Sequence, residues 1–175
     1  MHSLEKQISF LQTHGAEDLE HTDSDLLEHL EGTRSILQGW GESTDVVTAG
    51  LFHSVYGTEV YQDQMIPPTL RPQVQALIGP RAERIAYLFG ALERKSFLES
   101  VMAGRFTIHS RFDGTLLSDS EEEFRAVCAV YVANRLEQRP RWDEDWKYQE
   151  MEEMREIRRF ISAAAGLDLA KEYRM

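Results

Sequence analysis

The segment from Val46 to Phe52 is almost wholly apolar, interrupted only by Thr48. It runs directly into His53, Ser54, Tyr56, Gly57 and Thr58. A helix that is apolar all round has no solvent face and must be buried by its neighbours. A chain of 175 residues is long enough to enclose such a helix in one domain with a sizeable core. The stretch AGLFHSVYGT (residues 49–58) therefore brings an imidazole, a hydroxyl and a phenol to the floor of whatever cavity the fold leaves.

The surrounding pattern supplies helices for that enclosure. Leu4, Ile8 and Leu11 repeat at helical spacing and give a short first helix that stops near Gly15. An acidic loop from Glu17 to Asp25 carries His21 and ends in the cap candidates Asp23 and Ser24. A helix from about Asp25 to Gly39 presents Leu26, Leu27, Leu30, Ile36 and Leu37, with His29 and Thr33 on the same side. Ser43 or Thr44 caps the buried helix that follows. From Gly57 to Arg71 a long connection containing Pro67 and Pro68 forbids a continuous helix. Short helices over 73–78 and after Pro80 come next, and Phe97 to Met102 makes another turn or two. The segment 104–117 reads as a loop or short strand pair. An acid-rich start at Asp119–Glu123 opens a helix to Gln138, stopped by Pro140. A last helix over 142–163 places Trp146, Met151, Met154, Ile157 and Ile161 on one side. That side is suited either to its own bundle or to a homodimer face. Strand-type alternation is nearly absent, and no linker divides the chain. The expected fold is all-α, a single-domain helical bundle over 1–175.

Charge and cysteine content exclude several roles. With 19 basic and 30 acidic residues the net charge is −11, a surface that repels nucleic-acid phosphates and anionic lipid. The N-terminus lacks the basic start and apolar middle of a signal peptide, and no stretch is long enough to span a membrane, so the expected location is cytoplasmic. Cys128 stands alone in an apolar helical pattern and reads as a buried small hydrophobe.

Three polar residues fall on faces that otherwise look buried: His29, His53 and Asn134, each on a different helix. A buried polar group without a partner costs about 1–3 kcal/mol, so such groups normally meet one another or a ligand. Together they predict one shared polar pocket.

The ordered segments LLEHLEGTRSIL, AGLFHSVYGTE, IGPRAERIAYLFGALER and AVYVANRLEQ resemble the HD-domain superfamily of metal-dependent phosphohydrolases. The nearest pattern is the hydrolase domain of the stringent-response guanosine tetraphosphate enzymes. The resemblance spans about residues 25–138 and implies an HD-like helical bundle. It matches His29 and His53 to the two metal-binding histidines, and it places Ser54 and Asn134 where the family has aspartate ligands. Gly57 and Thr58 stand where those enzymes have a Glu-Asp pair that activates water. Every carboxylate of the pattern is thus replaced by a neutral residue, while Arg135 and Leu136 still match. Divalent metals such as Mg²⁺ and Mn²⁺ want anionic oxygen ligands, so guanosine tetraphosphate hydrolysis is not expected to carry over. The sequence also looks like an uncharacterised HD-like branch with His-Ser in place of His-Asp. There the working set is His21, His29, His53, Ser54 and Tyr56.

These residues lead to a small-molecule enzyme with a histidine-lined pocket and hydrolase-, lyase- or isomerase-type acid–base chemistry. His29, His53, His21, Tyr56, Ser54 and Asn134 are its candidate catalytic groups, and Arg111, His109, Gln138 and Thr33 its candidate substrate contacts. His29 and His53 are the candidate metal ligands, toward Zn²⁺, Fe²⁺ or Ni²⁺ if a metal binds at all. The alternatives are a non-catalytic HD-like module that binds a ligand or a protein, and, more remotely, an iron-dependent oxygenase.

Overall fold

Ser43 starts the central helix: its Oγ accepts the N–H of Val46 at 3.4 Å, and the helix runs over Thr44–Phe52. The computed structural model describes residues 3–14, 20, 21, 24–62, 64–139 and 144–175, with the backbone alone at 20, 21, 24, 25 and 144–149. Its helices are α1 (Leu4–Thr13), α2 (Leu26–Gly39), α3 (Thr44–Phe52), α4 (Arg71–Ile78), α5 (Pro80–Ala91), α6 (Arg94–Ala103), α7 (Glu121–Gln138), α8 (Glu144–Ile157) and α9 (Ala163–Tyr173). Two short antiparallel hairpins complete the described elements, β1 (Glu20–His21) with β2 (Ser24–Asp25) and β3 (Ile108–His109) with β4 (Leu116–Ser118). The fold is all-α.

The apolar α3 lies among α2, α5 and α7, as its lack of a polar face requires. Val46, Ala49, Leu51 and Phe52 are buried there with Leu26, Leu30 and Leu37 of α2, Ile85, Leu88 and Phe89 of α5, and Val127, Val130 and Tyr131 of α7. Gly41 turns the chain from α2 into α3 at φ 73°, a left-handed conformation that glycine adopts without a Cβ penalty. Gly90 permits a second close approach, because a Cβ at this position of α5 would stand 2.7 Å from the carbonyl oxygen of Gly57.

The connection after α3 is pinned by a buried carboxylate. Glu83, fully buried on α5, accepts from Tyr56 Oη at 3.0 Å, Arg71 Nε at 2.6 Å, Arg71 Nη2 at 3.1 Å and Gln75 Nε2 at 2.8 Å. The Arg71 guanidinium also stacks 3.5 Å above the Tyr87 ring. Burial and the Glu83 charge hold the Tyr56 hydroxyl well above the ordinary phenol range.

The C-terminal part departs from the single long helix expected over 142–163. Helix α8 ends at Ile157, and a 3₁₀ turn (Arg158–Phe160) follows. Ile161 is extended, and Ser162 Oγ accepts the N–H of Ala165 at 3.4 Å to start α9. The signal for α9 was present: a cap serine followed by Ala165, Leu169 and Tyr173 at four-residue spacing, all three buried. Met154 and Ile157 pack into the chain's own core, whereas Trp142 and the Trp146 side chain lie outside the described residues. Polar contacts tie α8 and α9 to each other and to the end of α7. Arg135 Nη1 lies 3.2 Å from Glu150 Oε1, Tyr173 donates to Glu150 Oε2 at 3.0 Å, and Arg139 Nε donates to Glu172 Oε1 at 3.0 Å. The expected loop over 17–25 also differs, since its described part pairs Glu20 with Asp25 and His21 with Ser24. Two-residue strands are too short to show alternation in sequence.

Two glycine substitutions separate close approach from helix propensity. Gly90→Ala sets a methyl group against the Gly57 carbonyl and should cost about 1–3 kcal/mol. Gly39→Ala meets nothing within 4 Å and should stabilise by roughly 0.5 kcal/mol. Urea unfolding midpoints of the two variants beside the wild type check both signs.

Candidate functional site

His29 is carried on α2, one helical turn before Thr33, whose Oγ1 donates to the His29 carbonyl at 3.0 Å. His53 is the residue at which α3 ends, and Asn134 and Glu137 sit three apart on α7. Three helices thus place four polar side chains at one point. His29 Nε2 lies 3.1 Å from His53 Nε2, and His53 Nε2 lies 3.1 Å from Asn134 Oδ1. Both imidazoles have 0% exposure, while Asn134 and Glu137 are half-buried.

The outer nitrogens fix what the inner ones can be. His53 Nδ1 donates to the Gly50 carbonyl at 2.7 Å; a carbonyl can only accept, so the proton is on Nδ1. His29 Nδ1 donates to the Glu137 carboxylate. In their neutral forms both rings then direct Nε2 lone pairs at each other across 3.1 Å, with the Asn134 oxygen as a third electron pair beside them. That arrangement is repulsive unless a proton or a cation stands between the nitrogens. The Phe89 ring closes one side, edge-on to His53 with ring centroids 5.0 Å apart.

A metal is one such cation. Metal-bound histidines characteristically donate their second ring N–H to a carboxylate or backbone carbonyl, as His29 and His53 do. Ligand nitrogens about 2.0–2.1 Å from a zinc ion stand about 3.0–3.4 Å apart for ordinary coordination angles, which brackets both 3.1 Å separations. Among the described residues no three of His, Cys, Asp or Glu converge as a metal cluster, and the third donor is an amide. Among the described residues the donors that meet here are two imidazoles and an amide, types that suit a borderline cation such as Zn²⁺, Fe²⁺ or Ni²⁺ better than Mg²⁺ or Mn²⁺.

The other expected site residues are distributed more widely. Ser54 is buried directly after His53. The Tyr56 hydroxyl is directed at Glu83. Arg111 Nε donates to the Gly90 carbonyl at 2.9 Å, its guanidinium lies 4.3 Å over the Phe112 ring, and burial lowers its pKa. His109 is half-buried in β3, and its carbonyl accepts the Glu93 N–H at 2.8 Å. Gln138 is buried at the end of α7. The His21 side chain lies outside the described residues. Glu137 is the functional candidate that sequence reasoning missed. Its signal was the three-residue spacing from Asn134, which puts both on one side of a helix.

Residues 10–94 match a family described as a domain of unknown function, DUF6817. The match contains both histidines and ends before α7, which carries Asn134 and Glu137. No curated protein matches the chain in sequence. A solved structure of a metazoan ortholog of SpoT, which hydrolyses ppGpp and plays a role in starvation responses, is similar with a TM-score of 0.63 and 14% identity. The similarity covers 99% of this chain and 97% of that one. The two chains share one all-α architecture over nearly their whole lengths. At 14% identity the likeness establishes architecture and leaves the chemistry to the residues themselves.

Cys128 is fully buried on α7, and burial pushes its thiol well above the ordinary range, which makes it a packing residue. A thiol reagent such as DTNB should leave it unmodified in the native protein and react once per chain after unfolding in guanidinium. Absorbance at 412 nm reads both states.

Proposed function

We propose that this protein is a hydrolase-type enzyme for a small molecule, working at the His29–His53–Asn134 centre with a borderline divalent cation. The observation that carries the reading is the pair of imidazole Nε2 atoms 3.1 Å apart, each with its Nδ1 proton already committed elsewhere. The HD-like architecture supports hydrolysis in general. Among the described residues the donors at this centre are imidazole and amide groups, which argues against the hard-metal chemistry that guanosine tetraphosphate hydrolysis would need.

The chain's own groups have separable tasks. The Gly50 carbonyl keeps a proton on His53 Nδ1, and Glu137 keeps one on His29 Nδ1, so both Nε2 atoms remain electron-pair donors. Asn134 supplies a carbonyl oxygen without adding charge, and the Phe89 ring excludes water from the His53 side. A cation held there would supply Lewis acidity toward water and a substrate oxygen.

Full burial of both histidines favours one competing reading, a non-catalytic HD-like module in which the pair is a structural core element. Elemental analysis of untagged protein, loaded with Zn²⁺, Fe²⁺, Ni²⁺ or Mn²⁺ and then desalted, separates the two. The proposal expects close to one Zn²⁺, Fe²⁺ or Ni²⁺ per chain, lost in His29→Ala and His53→Ala variants that keep their helical circular dichroism. Loaded wild type should also turn over members of a phosphoester panel. No retained metal under any loading would overturn it. A second expectation concerns metal choice: Asn134→Asp puts a carboxylate beside His53 and should raise Mn²⁺ affinity at least about tenfold, read by calorimetric titration.

A further inference from the structure

The β3–β4 hairpin carries a cation that the fold leaves without a counter-ion. Its first strand lies against the end of α5. Leu92 bridges Ser110, the Glu93 N–H donates to the His109 carbonyl at 2.8 Å, and the Arg111 N–H donates to the Ala91 carbonyl at 2.8 Å. Arg111 Nε then donates to the Gly90 carbonyl at 2.9 Å, which seats the side chain on the last turn of α5. That clasp uses Nε alone. Both Nη groups remain, and neither has an acceptor among the described residues. By contrast, Arg71, Arg84, Arg94, Arg135 and Arg139 each have a carboxylate oxygen at 2.6–3.7 Å.

Such a cation is costly to hold. A half-buried guanidinium with no paired anion gives up hydration that nothing replaces, and burial lowers the pKa of Arg111 accordingly. Glu59 acts on it only from beyond ion-pair distance, and its Oε2 accepts the Arg94 N–H at 2.6 Å. Glu93 has its Oε2 committed to the Ser96 N–H at 2.8 Å.

Two further groups flank the guanidinium. Residues 108–111 alternate between buried (Ile108, Ser110) and half-buried (His109, Arg111), so His109 and Arg111 lie on one face of the extended chain. His109 Nδ1 is buried and meets no hydrogen-bond partner among the described residues. Phe112 is 58% exposed, with the guanidinium 4.3 Å from the centre of its ring. A guanidinium fork suits an oxyanion, and an exposed ring beside it suits an apolar or aromatic body. On a chain of net charge −11 the general surface repels an anion, so an unpaired cation is where one would be held.

We infer that Arg111, with His109 and Phe112 beside it, forms an oxyanion subsite that takes the phosphoryl or carboxylate group of a small molecule with an apolar or aromatic body. The subsite adjoins the histidine centre through α5. A Cβ on Gly90 would lie 3.9 Å from the His53 carbonyl oxygen, and the ring of the preceding Phe89 stands edge-on to His53. Its part in turnover rests on the small-molecule reading above, whereas binding itself needs no cation at the histidines.

Titration of the full chain in EDTA with phenyl phosphate, benzoate and inorganic phosphate tests this, read by calorimetry and by nitrogen–proton NMR shifts. At least one aromatic anion should bind more tightly than about 10 mM and shift the Arg111 Nε–H and the Phe112 amide. Tighter binding of phenyl phosphate assigns a phosphoryl ligand, and tighter binding of benzoate a carboxylate. Arg111→Gln should weaken the preferred anion about tenfold or more, and Arg111→Lys, which keeps the charge without the fork, should weaken it several-fold. Phe112→Ala should weaken the aromatic anions about threefold and leave inorganic phosphate within about twofold. Shifts that map away from the hairpin, or Arg111→Gln within about twofold of wild type, would overturn the subsite. Failure of all three anions to bind would overturn it too, while a protein that still retains Zn²⁺ on loading would keep its histidine centre. Anion binding by a chain that retains no metal would support the subsite and overturn the metal reading alone. Should Arg111→Gln lose its helical circular dichroism, the wild-type shift map and Phe112→Ala still decide.

Discussion

Two imidazole nitrogens facing each other in a dry interior are the constraint on which the rest of this structure turns. Neither ring can move off that line freely, because the Gly50 carbonyl holds one outer nitrogen and Glu137 holds the other. Positive charge, whether a proton or a metal ion, is what makes the inner contact attractive. The packing around α3 therefore does more than bury hydrophobic surface. It sets the ring of His53 at a fixed point, with α2 and α7 as the two walls that meet it.

The same helices keep their remaining polar groups away from that point. Glu83 collects Tyr56, Arg71 and Gln75, and Arg135 turns toward Glu150 and α8. Removing one member of a buried ion pair strands the other at a cost of about 3–5 kcal/mol, so these clusters lock the register of their helices. These ion clusters hold the helices that carry the histidines, and Glu137 and the Gly50 carbonyl hold the rings themselves.

Much of this was legible in the sequence. The apolar run before His53, the polar residues on apolar faces and the proline and glycine punctuation specify a helical bundle in which His29, His53 and Asn134 lie on faces that turn inward. Tertiary geometry was not legible. Tyr56 follows His53 by three residues and looks like a neighbour of the site, yet its hydroxyl goes to a carboxylate on another helix. Glu137 looks like an ordinary surface residue of a charged helix end, yet it reaches His29 past Gly32, where a Cβ would stand 2.7 Å from its Cγ. Helix α9 was missed because the pattern of α8 appeared to continue, although Ser162 offered a cap.

The sequence distance between the partners has a consequence for how the molecule is made. His29 and Glu137 are separated by 108 positions, and His53 and Asn134 by 81. Contacts of such separation lower the folding rate, because a large loop must close before they contribute. During translation both histidines leave the ribosome well before the helix that completes their surroundings. The early α2–α3 pair can collapse on its leucines, but it lacks the carboxylate that orients one ring and the amide that flanks the other. Docking of α7 is thus the event that brings Glu137 to one histidine and Asn134 to the other. The histidine pair forms with the apolar packing of α2 on α3, and its surroundings are completed only by the last long helix of the core.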